Sequence, residues 1–383
     1  MTDKDLNPSS THPPIPPTQE DEQFARLRLL RSRRVGISTY KRLLIEHGTA
    51  QNALAALPQV ARAAGVSEYQ ICPEGVIWAE LKAARAAGAQ LVLQGQDPYP
   101  SLLNDLADAP PFLWCIGDTS LLARPMISMV GARNASSLGT RMAQALARDL
   151  GAAGYVVVSG LARGIDAATH LASMTTGTIA VQAGGVDVMY PAENTELALN
   201  IAKSGLRLSE QPMGLQPMAR HFPSRNRIIS GLSRATIVVE AAAKSGSLIT
   251  ARDALDQGRD VLSVPGHPFD ARAAGCNILI RDGATLVRSA ADVIEALGPI
   301  SGQQTTPELP LTPAKPDKPK RSLRETAALH LQILSRLGPS PVAEDQLIRD
   351  LQAAPADVAP VLVDLELDGQ IARRPGGLLA RVV

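Results

Sequence analysis

The chain predicts an α/β fold: a parallel-sheet core, with a helical region before it and a winged-helix unit after it. Three observations carry this. Short apolar runs alternate with helical stretches from Leu91 to about Leu297, the pattern of parallel strands joined by crossover helices. Several runs are followed by the same turn, small residues around one cation, and then by a helix. Residues 322–383 form a separate pattern of three helices and a hairpin.

Residues 1–22 are Pro-rich and polar, with Pro13, Pro14, Pro16 and Pro17 close together; they are expected to be a disordered tail. A helical region follows over 23–88. Within it, Arg34 to Gly48 reads as a small helical hairpin, for which leucine packing is a simpler account than contact with a nucleic-acid backbone. The core spans 89–298, with strands near 91–94, 112–116, 126–130, 155–158, 178–182, 206–209, 236–239, 261–264 and 284–287. Residues 299–321 carry six prolines and several lysines and are expected to be a semi-extended linker. Helices near 323–337, 342–351 and 355–368 then precede a hairpin turning at Gly376-Gly377. That is a winged-helix plan, whose third helix ordinarily reads DNA. Here the third helix holds Asp357, Asp364, Glu366 and Asp368 and no Lys or Arg. Phosphate repels such a helix, so a protein-contact role is expected.

The turns carry the function. Met126–Val130 leads into Gly131-Ala132-Arg133-Asn134. Tyr155–Val158 leads into Ser159-Gly160-Leu161-Ala162-Arg163-Gly164. Thr236–Val239 leads through Glu240 into Lys244-Ser245-Gly246-Ser247. In a parallel sheet all these turns lie on one edge, where ligands bind. Phe222-Pro223-Ser224-Arg225-Asn226-Arg227 adds a proline suited to a helix start, followed by two arginines that oppose the macrodipole. An anion docked at that helix start would offset the opposition. Arg133, Arg163, Lys244, Arg225 and Arg227 are therefore expected to converge on a polyanion. Aromatic content is only 3%, and Phe222 is the one aromatic placed beside this cluster. Phosphate contact, more than base stacking, is the expected grip.

At 383 residues the chain has room for two or three domains. A net charge of +1 makes any nucleic-acid site a local patch. Cys72, Cys115 and Cys276 form no CxxC pair, which argues against a disulfide framework or zinc knuckle and for a reducing, cytoplasmic setting. The first residues lack an apolar leader and no apolar run reaches about 18–20 residues, so neither secretion nor membrane spanning is expected. Neither GxGxxG nor GxxxxGK followed by Ser or Thr occurs, and the six histidines lack metal-ligand spacing. Asp166 and His170 sit four apart on one helix, where capping or packing is commoner than acid–base work. Glu240 is either catalytic or an orienter of the arginines. No nucleophile, base and oxyanion donor assemble, so no catalysis, metal or cofactor is expected.

In the family's order across the core come Val130-Gly131-Ala132-Arg133, Ser159 to Asp166 with His170, Gly184-Gly185-Val186-Asp187 with Tyr190-Pro191, and Ser209-Glu210. Then follow Phe222 to Ile229, Glu240 to Ala251, and Pro265-Gly266 with Gly275-Cys276-Asn277. This set resembles the DNA-processing protein A family (DprA, also called Smf). The resemblance implies an extended Rossmann-like core that binds single-stranded DNA without turning it over. It also implies an N-terminal domain like the sterile-alpha-motif (SAM) fold, and a homodimer that protects single strands and loads RecA recombinase during natural transformation and homologous recombination. Its pocket maps onto Arg133, Ser159, Gly160, Arg163, Phe222, Arg225, Asn226, Arg227, Lys244, Ser245 and Ser247, with Gly131 and Gly164 in the same turns. The acidic third helix of the winged unit departs from a DNA-reading role. The alternative is a Rossmann-like nucleotide phosphoribohydrolase acting on nucleoside monophosphates. Such enzymes resemble the "lysine decarboxylase-like" family, whose PGGxGTxxE signature is absent here.

Overall fold

Four helices open the structure, a computed structural model that describes residues 19–298, 323–338, 340–374 and 378–382. They are α1 (Gln19–Arg31), α2 (Ile37–His47), α3 (Ala50–Ala63) and α4 (Glu74–Ala87). α1 begins inside the stretch expected to be a tail, because Glu20, Asp21 and Glu22 suit the positive end of a helix. The rest of that expected tail, the linker and the hairpin turn at residues 375–377 lie outside the described residues. Leu29, Tyr40, Leu43, Leu54 and Leu57 give the helices a core of their own. A polar seam ties them to the sheet: Glu80 accepts from the Trp114 indole N–H at 2.8 Å and from Arg31 at 2.8 and 3.0 Å. Burial of that carboxylate is tolerable because every contact is charge-assisted or hydrogen-bonded.

The sheet strands are β1 (Gln90–Leu93), β2 (Phe112–Gly117), β3 (Met126–Val130), β4 (Val156–Ser159), β5 (Thr178–Val181), β6 (Leu206–Ser209), β7 (Ala235–Val238), β8 (Asp260–Ser263) and β9 (Thr285–Leu286). Among them run α5 (Ser101–Asn104), α6 (Ser137–Ala152), α7 (Ile165–Ser173), α8 (Thr195–Ser204), α9 (His221–Gly231), α10 (Ser247–Asp256), α11 (Ala274–Arg281) and α12 (Ala290–Leu297). The spatial order is β1-β2-β6-β5-β4-β3-β7-β8-β9. From β6 to β9 every pair is parallel, whereas β1 pairs with β2, and β2 with β6, antiparallel. The parallel sheet expected from sequence is thus corrected at one edge. The β1–β2 connection, residues 94–111, holds no helix longer than the four-residue α5, whereas a parallel crossover is usually built on a full helix.

Strand order reverses between β3 and β7. The chain runs outward from β3 through β4 and β5 to β6, then returns to β7 and runs outward the other way. Such a switch point opens a crevice at the carboxyl ends of the strands. β3, β4 and β7 are buried along their whole length, as strands covered by helices on both faces must be.

The described residues from 323 onward form a second unit. It comprises α13 (Leu323–Arg336), β10 (Val342–Ala343), α14 (Glu344–Leu351), α15 (Pro355–Leu367), β11 (Ile371–Arg374) and β12 (Leu378–Arg381), with strand order β10-β12-β11. The helix expected from residue 342 starts at Glu344 because Val342 and Ala343 pair with Leu379 and Leu378. Leu329, Ile333, Leu347, Leu362, Leu365 and Leu379 make its core. Arg373 bonds Glu344 at 2.6 Å and Glu366 at 3.1 Å, and Arg381 donates to Leu334 O at 3.3 Å. Two of the three wing arginines are therefore engaged within the unit. The Asp357 side chain lies outside the described residues.

Candidate nucleic-acid interface

Glu240, just past β7, organises the first turn. Its carboxylate accepts from Ser136 N at 3.0 Å and Ser136 Oγ at 2.5 Å, and Ser136 Oγ in turn accepts from Gly139 N at 2.9 Å. The start of α6 is thus capped by Ser136 and steadied from another strand. That fixes the loop carrying Arg133. Of the two roles open to Glu240 from sequence, this geometry gives it an orienting one.

The turn after β4 is held from below. Ser159 is buried and its Oγ donates to Met129 O at 2.6 Å. Asp166 accepts from Gly160 N at 3.1 Å and Ala162 N at 3.3 Å. His170 Nε2 accepts from Leu161 N at 3.3 Å, so the proton is on Nδ1, which bonds Thr178 Oγ1 at 2.7 Å. Burial, with the Arg225 charge adding to it, pushes His170 down to about 3, so it is neutral near pH 7. Burial raises the Asp166 carboxyl, and Arg225 works against that rise. The two residues brace the loop separately and do not exchange a proton. Gly164 has φ +75° and its missing Cβ would lie 2.3 Å from Ala132 O. Only glycine lets the two turns touch there.

α9 starts at His221, two residues before the start expected at Pro223. Arg225 and Arg227 therefore lie past the first turn, and the macrodipole argument for an anion at their side chains does not hold. Two residues apart on a helix, they also face different ways. Arg225 points into the crevice and is only 6% exposed. Its guanidinium occupies the space above Gly160, where a Cβ would sit 1.4 Å from Nη1. Its Nε has no hydrogen-bond partner. The Phe222 ring lies 6.0 Å from the Arg225 guanidinium and 5.3 Å from that of Arg133, both within cation–π range. Tyr190 meets the same ring at 5.8 Å.

Arg227 turns away. It donates to Asp108 O at 2.6 Å and to the Glu210 carboxylate. Its expected place in the crevice is corrected: it bolts α9 to the loop after α5 and to the end of β6.

Two cavities meet at Arg133, Ala162, Phe222 and Arg225. One, about 370 Å³, adds Gly160, Arg163, Gln182, Met189 and Tyr190. The other, about 610 Å³, adds Gly131, Asn226, Lys244, Ser245, Ser247 and Arg272. Among the described residues Arg133 and Lys244 are exposed and form no ion pair. Arg163 lies 3.6 Å from Glu193, both well exposed, a pair too solvated to hold it. Ser245 and Ser247 share a hydroxyl contact at 2.7 Å at the start of α10. Ser159 and Gly164 shape the crevice from behind. Tyr190 and Arg272 were not foreseen as lining residues, though they follow β5 and β8 on the same edge and the edge rule reaches them too. Among the described residues no group of His, Cys, Asp and Glu is placed to hold a metal, and no helix is long and apolar enough to cross a membrane.

Fold and site together define a doubly wound α/β protein with a cation-lined crevice at its switch point. Residues 90–298 match the family described as DNA recombination-mediator protein A, residues 20–83 the DprA-like N-terminal HHH domain, and residues 317–377 the DprA winged helix domain. The DNA processing protein DprA of Bacillus subtilis (strain 168) is 44% identical over 230 residues, covering 59% of this chain and 77% of that protein. Protein Smf of Escherichia coli (strain K12) is 35% identical over 283 residues, 73% of this chain and 74% of that one. The X-ray structure of DprA from Streptococcus pneumoniae aligns with TM-score 0.54 at 35% identity, over 69% of this chain and 98% of that one. The Helicobacter pylori DprA structure, described for its single-stranded DNA binding mode, aligns with TM-score 0.51 at 30% identity, over 55% and 97%. The chain belongs to the DNA recombination-mediator protein A (DprA/Smf) family.

Proposed function

We propose that this protein grips the phosphate backbone of single-stranded DNA in the crevice between the β3, β4 and β7 turns. In this reading it acts in the cytoplasm as a homodimer, shields incoming strands and loads a RecA-type recombinase onto them during transformation and recombination, without chemical turnover. One observation carries it: turns from three separate strands, together with α9, bring Arg133, Arg163, Lys244 and Arg225 to one rim. The H. pylori relative's structure, described for its single-stranded DNA binding mode, supports the single-strand part of this reading. Asp166, His170 and Glu240, the groups nearest to acid–base chemistry, are each engaged in structural hydrogen bonds.

Binding is expected to tolerate sequence and to fall steeply with salt. With about three or four phosphates contacted, log K against log salt should slope by about −2 to −3, at roughly −0.7 per contact. Titration of an oligothymidylate at several salt concentrations measures it. Salt-insensitive binding, or tighter binding to blunt duplex, would overturn the proposal.

A chain ending at residue 321 is expected to bind a short oligothymidylate within about twofold of the full chain. The reason is that Arg373 and Arg381 are held by partners inside the winged unit and the third helix is acidic. A tenfold loss at matched salt would make the wing part of the primary site.

A further inference from the structure

Phe269, in the loop after β8, is 95% exposed, more than any other large apolar side chain described. The loop is nonetheless preformed. Phe269 N donates to His267 Nδ1 at 3.3 Å, and the two rings lie 5.6 Å apart. Asp270 N closes one turn onto His267 O at 2.9 Å, and Ala273 N closes the next onto Asp270 O at 2.9 Å. Arg272 is fixed to the Asp270 carboxylate by its backbone N at 3.0 Å and its Nε at 3.1 Å. Arg272 also lines the larger cavity with Lys244 and Ser245. Three residues span at most about 10 Å, so Phe269 stands beside the cationic rim.

The chain has four phenylalanines. Phe112 is buried and Phe24 packs on Trp78 among the N-terminal helices. Only Phe222 and Phe269 belong to this edge of the sheet. A strand held by its phosphates leaves its bases free, and a base stacks on any open aromatic face.

On the reading of the crevice given above, we propose that Phe269 is a stacking platform outside the crevice, which receives a base of the single strand where it leaves beyond Lys244. The contact extends the track past the pocket without adding charge and without choosing among bases.

The test compares Phe269→Ala, Phe269→Trp and Arg133→Ala with the parent on a long oligothymidylate and on a base-free phosphodiester of the same length. Phe269→Ala is expected to weaken oligothymidylate binding about fivefold to tenfold with an unchanged salt slope. Phe269→Trp is expected to restore it, and the base-free strand to bind parent and alanine variant alike. Binding by Phe269→Ala equal to the parent, while Arg133→Ala is weakened, would overturn the platform and leave the crevice standing. If neither variant is weakened, the crevice itself is misassigned and the platform falls with it. An equal loss on the base-free strand would also overturn the platform, because the contact would not be to bases.

Discussion

Replacing Arg225 by alanine is expected to remove about a hundredfold in single-strand affinity and to lower the melting temperature as well. The affinity loss follows from deleting a charged donor worth about 1.5–3 kcal/mol, together with one of the two cations over Phe222. The stability loss follows from burial. Arg225 is almost wholly enclosed and its charge is what holds the Asp166 carboxyl down against desolvation. Asp166 keeps its backbone donors, so deleting the nearby buried charge is expected to cost about 1–3 kcal/mol. Arginines that oppose the macrodipole at a helix start would cost little stability to remove; the burial of Arg225 past the first turn predicts the opposite sign. A group raised by burial contributes stability at low pH that is lost as pH rises through its folded value. The variant's deficit should therefore shrink on acidification, as the unpaired Asp166 protonates. Asp166→Asn in the same chain should recover the melting temperature but not the binding. Thermal melts at two pH values and one titration series measure all of this; a variant that binds like the parent would place the site elsewhere.

Arg227→Ala should show the opposite division: a fold weakened by about 3 kcal/mol, with affinity nearly unchanged where the protein remains folded. Glu210 is partly buried, and desolvation raises its carboxyl while Arg227 opposes the rise. Without the guanidinium, that carboxylate and Asp108 O both lose their donor. Glu210→Gln in the same chain should return part of the stability. A tenfold affinity loss at an unchanged melting temperature would return Arg227 to the crevice.

The two arginines show where sequence stops informing. All nine sheet strands were legible to within about two residues, because buried parallel strands are written as short apolar runs. The rim of the crevice was legible for the same reason: once strands are placed, their following turns share an edge. Which face of α9 an arginine takes was not legible, since that depends on where the helix begins and on partners as distant as Asp108. The antiparallel β1–β2 edge was hidden because apolar runs carry no direction. Tyr190 and Arg272 were missed because they lie nine residues past the ends of β5 and β8, beyond the short turns the pattern reads, and Phe269 because a lone exposed aromatic in a loop has no pattern at all.

The bond from Glu240 to Ser136 spans 104 residues of chain, which has a consequence for how the protein emerges from the ribosome. Strands β3 to β6 can pair as they are made, but the outer side of β3 is an open edge until β7 arrives. At about 5–20 residues per second, that delay lasts roughly 5–20 s. Through that interval Ser136 can cap α6, but the Glu240 carboxylate that steadies it and Lys244 are not yet made. Until β7 and its following turn are made the crevice is incomplete, and the unpaired β3 edge is the segment a chaperone would need to cover.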